Sequence, residues 1–445
     1  MVELKNILSD FAEKKILKET SSLLKTLRRN ALEEFNKIAF FNSNSANLQN
    51  SKLNKFLDND YSVECSSNSD ISTFSCELNY MDSAEYYLIN SDKLISKGTN
   101  SQVTVKNILE VDDNILSKFF NKIAQNNADG FSAINTAAFT GGFFIQVPDN
   151  TNVEIPIQLI ALNNCDENYF SNTRNLIIVG KNSNVKIIQC DDTIHNRDYF
   201  LNTLTEVYAA ENSHIELYKM YNISNSSASI NSIIINQEAN SLVKSFSFEL
   251  NAGLLQNNIV TNLKGEGAQS LSYGIYLTDK RQQTDNNLKI IHSAPHCLSE
   301  QVFKGIVDDT AHAVFNGLIV VDEIAQKTEA SQVNRNILLT DKARATSKPF
   351  LEIYADDVKC SHGATVGQLD DNALFYLQAR GISYEKARML LLHAFVGEII
   401  SKIKIEAIAV RISDLVKKRL NGELSDCKSC VLKCSDAQTN NTCKN

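Results

Sequence analysis

Cys360 and His362 stand two residues apart in FLEIYADDVKCSHGATVGQLD, a segment whose first part has the texture of a strand. Successive strand side chains point to opposite faces, so the two would project side by side from one face. A sulfur donor beside an imidazole pairs a soft with a borderline metal ligand and suits sulfur or iron chemistry. Gly363 and the nearby strand end keep the pair accessible at an edge or interface, which favours a functional reading over a structural one.

A second group of thiols lies in the tail, as Cys427-x2-Cys430-x3-Cys434 with eight further residues before Cys443. Three or four thiolates this close suggest a zinc or iron–sulfur site, and the alternative is an unstructured tail of free thiols. His292, His296 and Cys297 form a third conceivable cluster in HSAPHC. His296 and Cys297 cannot share a strand face and Pro295 suggests a bend, so a loop or structural role is the better reading. Asp356 and Asp357 likewise point to opposite faces of a strand and read as solvent-facing or turn-stabilising residues. His312 is a candidate for the coil interior. His393, within the apolar run LLLHAFVGEII, reads as a hydrogen-bonded core or interface histidine. Cys65, Cys76, Cys165, Cys190 and Cys297 stand alone and read as small buried hydrophobes.

The common catalytic signatures do not occur. There is no G-x-x-x-x-G-K-[ST] phosphate loop, no G-x-S-x-G elbow and no H-E-x-x-H metal helix, so no nucleotide is expected to bind directly. The run Thr140 to Gly142 is too short to hold a nucleotide and reads as a turn into FFIQV.

Three kinds of element must carry these residues. From Val2 to about Phe41 apolar residues recur at three- and four-residue steps, a helical pattern that gives way to a polar, loop-rich stretch and resumes around Val111 to Ala124. After about Ala133 short β-rich runs alternate with Asn, Ser, Gly and Asp. Their turns partly repeat: KNSNVKI, ENSHIEL and ANSLVKS place Ser183, Ser213 and Ser241 at spacings of 30 and 28 residues, with echoes near Gly267, DTAHAVF and DKARATS. Strand-rich repeats of this period point to a solenoid, and a parallel β-helix fits best, with an antiparallel sandwich or barrel as the alternative. Beyond Gln368, Asp370 and Asp371 can cap a helix that Gly381 ends; Ser383 precedes a second, strongly apolar helix, and IEAIAVRISDLVKKRL reads as a third.

Composition sets the outer bounds. The 445 residues are 43% hydrophobic and 22% charged, as in an ordinary soluble globular protein. Forty-four Lys and Arg against 52 Asp and Glu give a formal charge of −8, with no basic block to attract nucleic acid. No apolar run approaches the roughly 20 residues that cross a bilayer. The opening MVELKNILSDFAEKK lacks the order of a secretory signal, so a cytoplasmic protein is expected.

The wording ADDVKCSHGATVGQLD followed by LFYLQARGI resembles the SufB/SufD family of iron–sulfur cluster assembly scaffolds, and the SufD type in particular. The resemblance extends upstream through Gln301, Lys304, Gly305, the VFNG run and AQKTEASQVNRNILL, and more weakly to NTAAFTGGFFIQVPDN and RNLIIVG. It implies a mainly β protein: an N-terminal helical region with loops over 1–130, a right-handed parallel β-helix core over 131–366 and a C-terminal helical module over 367–424, ahead of the Cys-rich tail 425–445. It further implies a non-enzymatic subunit that pairs with a SufB-like chain through the β-helix and engages a SufC-like ATPase through the C-terminal helices. A transient iron–sulfur cluster would form at the SufB interface, with His362 and then Cys360 as the ligand candidates. Two other readings are a SufB-like homodimer that holds the cluster itself and a β-helical carbohydrate-active enzyme. The last would call for clustered acids and a secretion signal, and neither is visible. A homodimer is also expected of the isolated subunit.

Overall fold

The computed structural model describes residues 2–38, 52–65, 83–98, 100–124, 129–193 and 197–421. Nineteen strands among them wind into a two-sided solenoid. One wall contains β1 (Ala84–Ile89), β2 (Lys93–Lys97), β5 (Ile157–Asn163), β7 (Asn184–Thr193), β9 (His214–Asn222), β11 (Leu242–Asn251), β13 (Gln269–Thr278), β15 (Leu298–Val307), β17 (Glu329–Leu338) and β19 (Lys359–Gly367). The other contains β3 (Thr104–Asn107), β4 (Phe143–Val147), β6 (Tyr169–Val179), β8 (Tyr199–Ala209), β10 (Ala228–Gln237), β12 (Leu254–Leu263), β14 (Gln283–His292), β16 (His312–Val321) and β18 (Arg344–Ile353). From β4 onward the chain alternates walls, and each strand pairs in parallel with the one two places later. A parallel β-helix is therefore the architecture, as the turn spacing suggests. An antiparallel sandwich is excluded.

The repeated turns have one physical cause. Asn182, Asn212, Asn240, Gly267, His296 and Lys327 all adopt positive φ, a left-handed conformation that asparagine and glycine tolerate best. Each is followed by a small side chain, Ser183, Ser213, Ser241, Ala268, Cys297 and Thr328, and all six are buried beneath the turn. The left-handed residues donate their N–H groups to the next coil's turn, from Asn182 to the Glu211 carbonyl through to Lys327 and the Asp357 carbonyl. The ladder that orders the strands thus continues around the corner. At its end the Asp357 carboxylate pairs with Lys327, which makes Asp357 a turn residue.

The space between the walls is filled by inward-facing aliphatics near one end of each strand, among them Val185, Ile187, Ile215 and Val243 against Ile177, Val207 and Ile235. Further along the same strands the interior turns polar. Glu249 accepts from Asn286, Asn257 and Ser247, and the buried Lys219 lies 2.6 Å from Asp191. On the outer face of the other wall, Arg174 and Glu206, both fully buried, pair at 2.6 Å beneath Phe120, Ile123 and Thr136.

Helices cover the outer faces. Helices α1 (Val2–Lys18), α2 (Ser22–Lys37), α3 (Leu53–Leu57), α4 (Asp113–Phe119) and α5 (Gly130–Ala138) lie at the N-terminal end; α1, α2, α3 and α5 pack Leu8, Phe11, Phe35, Phe56 and Ile134 with Phe170 and Phe200. At the other end α6 (Asp371–Ala379), α7 (Tyr384–Ile400) and α8 (Glu406–Leu420) follow β19, and α7 and α8 set Leu392, Val396, Ile408 and Ile412 on Tyr218, Phe246, Phe248 and Ile275. Asp370 and Ser383 cap α6 and α7, and Gly381, at φ +84°, ends α6. Arg419 locks α8 down with two 2.6 Å contacts to Asp279 and a third to the Leu250 carbonyl. No described helix is long and apolar enough to cross a membrane.

Two features differ from what the sequence suggests. The stretch expected to be helices and loops also contributes β1, β2 and β3, so the solenoid begins well before residue 131. Cys65 and Cys165, 100 residues apart and read as separate buried thiols, are joined as a disulfide. A bridge between Ser62 and Tyr169 lays the incoming chain along β6 and brings the sulfurs together.

Candidate functional site: the open mouth of the solenoid

The two ends of the solenoid are finished differently. At the first, β1 is closed by its antiparallel hairpin partner β2, and β4 is flanked by the antiparallel β3. At the last, β18 and β19 are edge strands, and nearly all of β19 is exposed. Phe350, Tyr354 and Val366 present apolar surface there, Tyr354 with 63% of its area accessible.

Cys360 and His362 both lie on β19 and share a face, as their spacing predicts. Register shows which face it is. Cys360 pairs with Ala330 and packs with Ile319, Val321 and Leu351 of the opposite wall, so this face looks into the solenoid. His362 pairs with Gln332, which pairs with Gln301, so it stands at the top of an inward-facing column. The pair lines the mouth of the interior rather than its outer wall. His362 is exposed, whereas Cys360 is half-buried, and burial pushes its thiol pKa upward. A thiolate at this position requires a metal or a base to displace the proton.

Beneath the mouth the interior is plugged. Gln332 and Gln301 are buried and joined amide to amide across adjacent coils. Gly317, on β16, faces them, and a Cβ there would collide with the Gln332 amide. Sequence reasoning missed Gln332, although Gln-Val recurs at 301 and 332, one coil apart, and could have placed both on one column.

The remaining candidates are dispersed. His292 is buried, with Nε2 2.9 Å from the Ser299 hydroxyl, and burial lowers its pKa to about 4. His296 occupies a left-handed turn and Cys297 is buried under it with its thiol toward the Gly265 carbonyl, so these three residues are structural. His312 is half-buried beside Thr346, and His393 bonds Ser413 between α7 and α8. Cys76 and the tail thiols Cys427, Cys430, Cys434 and Cys443 lie outside the described residues. Among the described residues no three His, Cys, Asp or Glu side chains gather as a metal site. Cys360 and His362 thus offer two donors where a cluster takes about four.

Residues 161–395 match the family model of the SufBD core domain of SUF system FeS cluster assembly, and residues 6–159 match the SufBD N-terminal region. A SufBD family protein of Synechocystis is 35% identical over 298 residues, 65% of this chain and 66% of the relative. The iron–sulfur cluster assembly protein SufD of Escherichia coli is 32% identical over 251 residues, 56% of this chain and 59% of the relative. SufB of Bacillus subtilis is 25% identical over 317 residues, 71% of this chain and 68% of the relative. The first two matches span a little under two thirds of the relatives' own length.

Proposed function

This chain belongs to the SufBD family of iron–sulfur cluster assembly proteins, and we propose that within it the chain is a SufD-type, non-enzymatic, cytoplasmic scaffold subunit. The 32% identity to the Escherichia coli SufD supports that branch, while the Bacillus subtilis SufD and SufB stand nearly level at 26% and 25%. The open end of the solenoid receives a SufB-like partner. There His362 and Cys360 meet donors from the facing surface, and the nascent cluster is the cargo built between them. His362 offers a neutral imidazole to iron; Cys360 offers its sulfur once its proton is displaced. The helical module receives a SufC-like ATPase, a role favoured by α6, on which Phe375 is 72% exposed and Tyr376 lies beside it in the open. The nucleotide chemistry belongs to that partner.

One observation carries the reading. The two donors sit at an end of the solenoid that no described residue caps, on a strand that is an edge among the described residues, with unused backbone hydrogen-bonding capacity. The test is to co-express the chain with SufB- and SufC-like partners, isolate the complex anaerobically and compare cluster content between wild type and His362→Ala. Loss of cluster with assembly intact is the expected result. Unchanged cluster content would overturn the ligand role of His362, and a stable homodimer that loads a cluster without a SufB-like chain would favour a SufB-like scaffold instead.

A further inference from the structure

We propose that Gln332 is a positioning residue for His362: a rotation of the exposed ring, which does not bond that oxygen as placed, brings its Nδ1–H onto the Gln332 side-chain carbonyl and so leaves Nε2 free and aimed out of the mouth. The inference rests on His362 being the ligand, and adds what fixes its ring. Gln332 is fully buried, and its Nε2 donates to the Gln301 carbonyl in the coil beneath. Its Oε1 is also buried and has no hydrogen-bond partner among the described residues. Leaving a buried amide oxygen without a partner is costly, so a nearby donor that satisfies it is favoured.

Position supplies the donor. Gln332 and His362 are direct partners in the β17–β19 ladder, on the same inward face, and neighbouring strands lie about 4.8 Å apart. No other residue of β19 stands directly over Gln332. The space for the amide is kept by Gly317, where any side chain would displace it. The column continues downward, as Ser272 precedes Gln301 in register and accepts from Ser245 at 3.0 Å. Gln332 is therefore braced from below and opposite, and its carbonyl is left for the ring above. Imidazoles that bind metals generally donate their second ring N–H to a carbonyl or carboxylate, which sets the tautomer.

The decisive measurement is the ring 15N spectrum of His362 in the full chain, assigned with His362→Ala and recorded where the imidazole is neutral. Wild type is expected to show Nδ1 protonated and Nε2 free. Gln332→Leu should shift the ring toward the opposite tautomer or a mixture, and Gln332→Glu, which keeps an acceptor of the same length, should restore the wild-type pattern. Unfolding midpoints of the three proteins identify any variant that has failed to fold. In the anaerobic complex, Gln332→Leu should weaken binding of ferrous iron about tenfold, the usual effect of losing such a support. Identical ring spectra in wild type and Gln332→Leu would overturn the inference. If the tautomer shifts but His362→Ala keeps its cluster, the ligand reading fails while the positioning stands.

Discussion

Replacing Glu249 with glutamine tests whether the polar interior of the solenoid holds a carboxyl group against water. Glu249 is buried on β11, and burial raises its pKa from the ordinary 4.5 to about 7 even though Asn286, Asn257 and Ser247 all donate to it. The folded state therefore holds the proton more tightly than the unfolded chain. The stability this confers is complete below about pH 4.5 and declines as pH rises through 7. The whole rise is worth about 3 kcal/mol at 1.36 kcal/mol per pKa unit. About 2 kcal/mol is already lost at pH 6 and about 1.4 kcal/mol more by pH 8.5. Glutamine does not titrate, so the stability of Glu249→Gln relative to wild type should improve by about 1.4 kcal/mol between those pH values. Asp285, whose pKa burial also raises to about 7, is present in both proteins, and its contribution largely cancels. Urea unfolding followed by circular dichroism at the two pH values gives the difference directly. A variant-to-wild-type difference that stays constant with pH would refute the reasoning, and would mean that the three donors compensate the buried charge.

Two further changes test the packing that presents the site. Arg419→Met removes the guanidinium that binds Asp279, Gln282 and the Leu250 carbonyl, leaving a partly buried carboxylate unpaired; a loss of about 3 kcal/mol is expected, with limited proteolysis cutting α8 before the solenoid. Gly274→Val drives a side chain into the Phe303 ring and should cost at least 1–3 kcal/mol, whereas Gly397→Ala, in α7 with open space around the added carbon, should stabilise by about 0.5–1 kcal/mol; thermal melts distinguish the two signs.

The solenoid was legible because its turns repeat for a stereochemical reason. Asn-Ser at 182–183, 212–213 and 240–241 marks a left-handed residue followed by a small one that fits beneath the turn. The same positions were harder to recognise at His296–Cys297 and Lys327–Thr328, where hydrogen bonds to the next coil hold less suitable residues in that conformation. The early strands β1 to β3 were not legible: they are short, lie in a polar stretch and carry no repeat. Nor did strand alternation reveal Glu249 or Lys219 as interior groups, because covering helices bury the outside of the wall as well as the inside. The Cys360-x-His362 spacing correctly put both on one face. Only the register of β17 and β19 shows that this face is the inner one and that Gln332 lies beneath it.

If Cys360 and His362 are cluster ligands, as proposed, that placement links covering the end of the solenoid to completing the ligand set. Repeat proteins need their terminal repeats capped, and proteins that leave a sheet edge open usually blunt it with charge, proline or a bulge. On β19 the only charged side chain is Lys359, at the first position, and it is paired with Glu329 of the neighbouring strand. The rest, CSHGATVG, is a regular parallel strand in uninterrupted register with β17. An edge of this kind is favoured to pair, and any surface that pairs with it also approaches Cys360 and His362. If the nascent cluster draws donors from both sides, its binding and the closure of the interface are thermodynamically linked, and each must strengthen the other by the same factor. Blunting the edge away from the ligands would then weaken cluster retention without touching a donor, while removing His362 would loosen the partner only when a cluster is present.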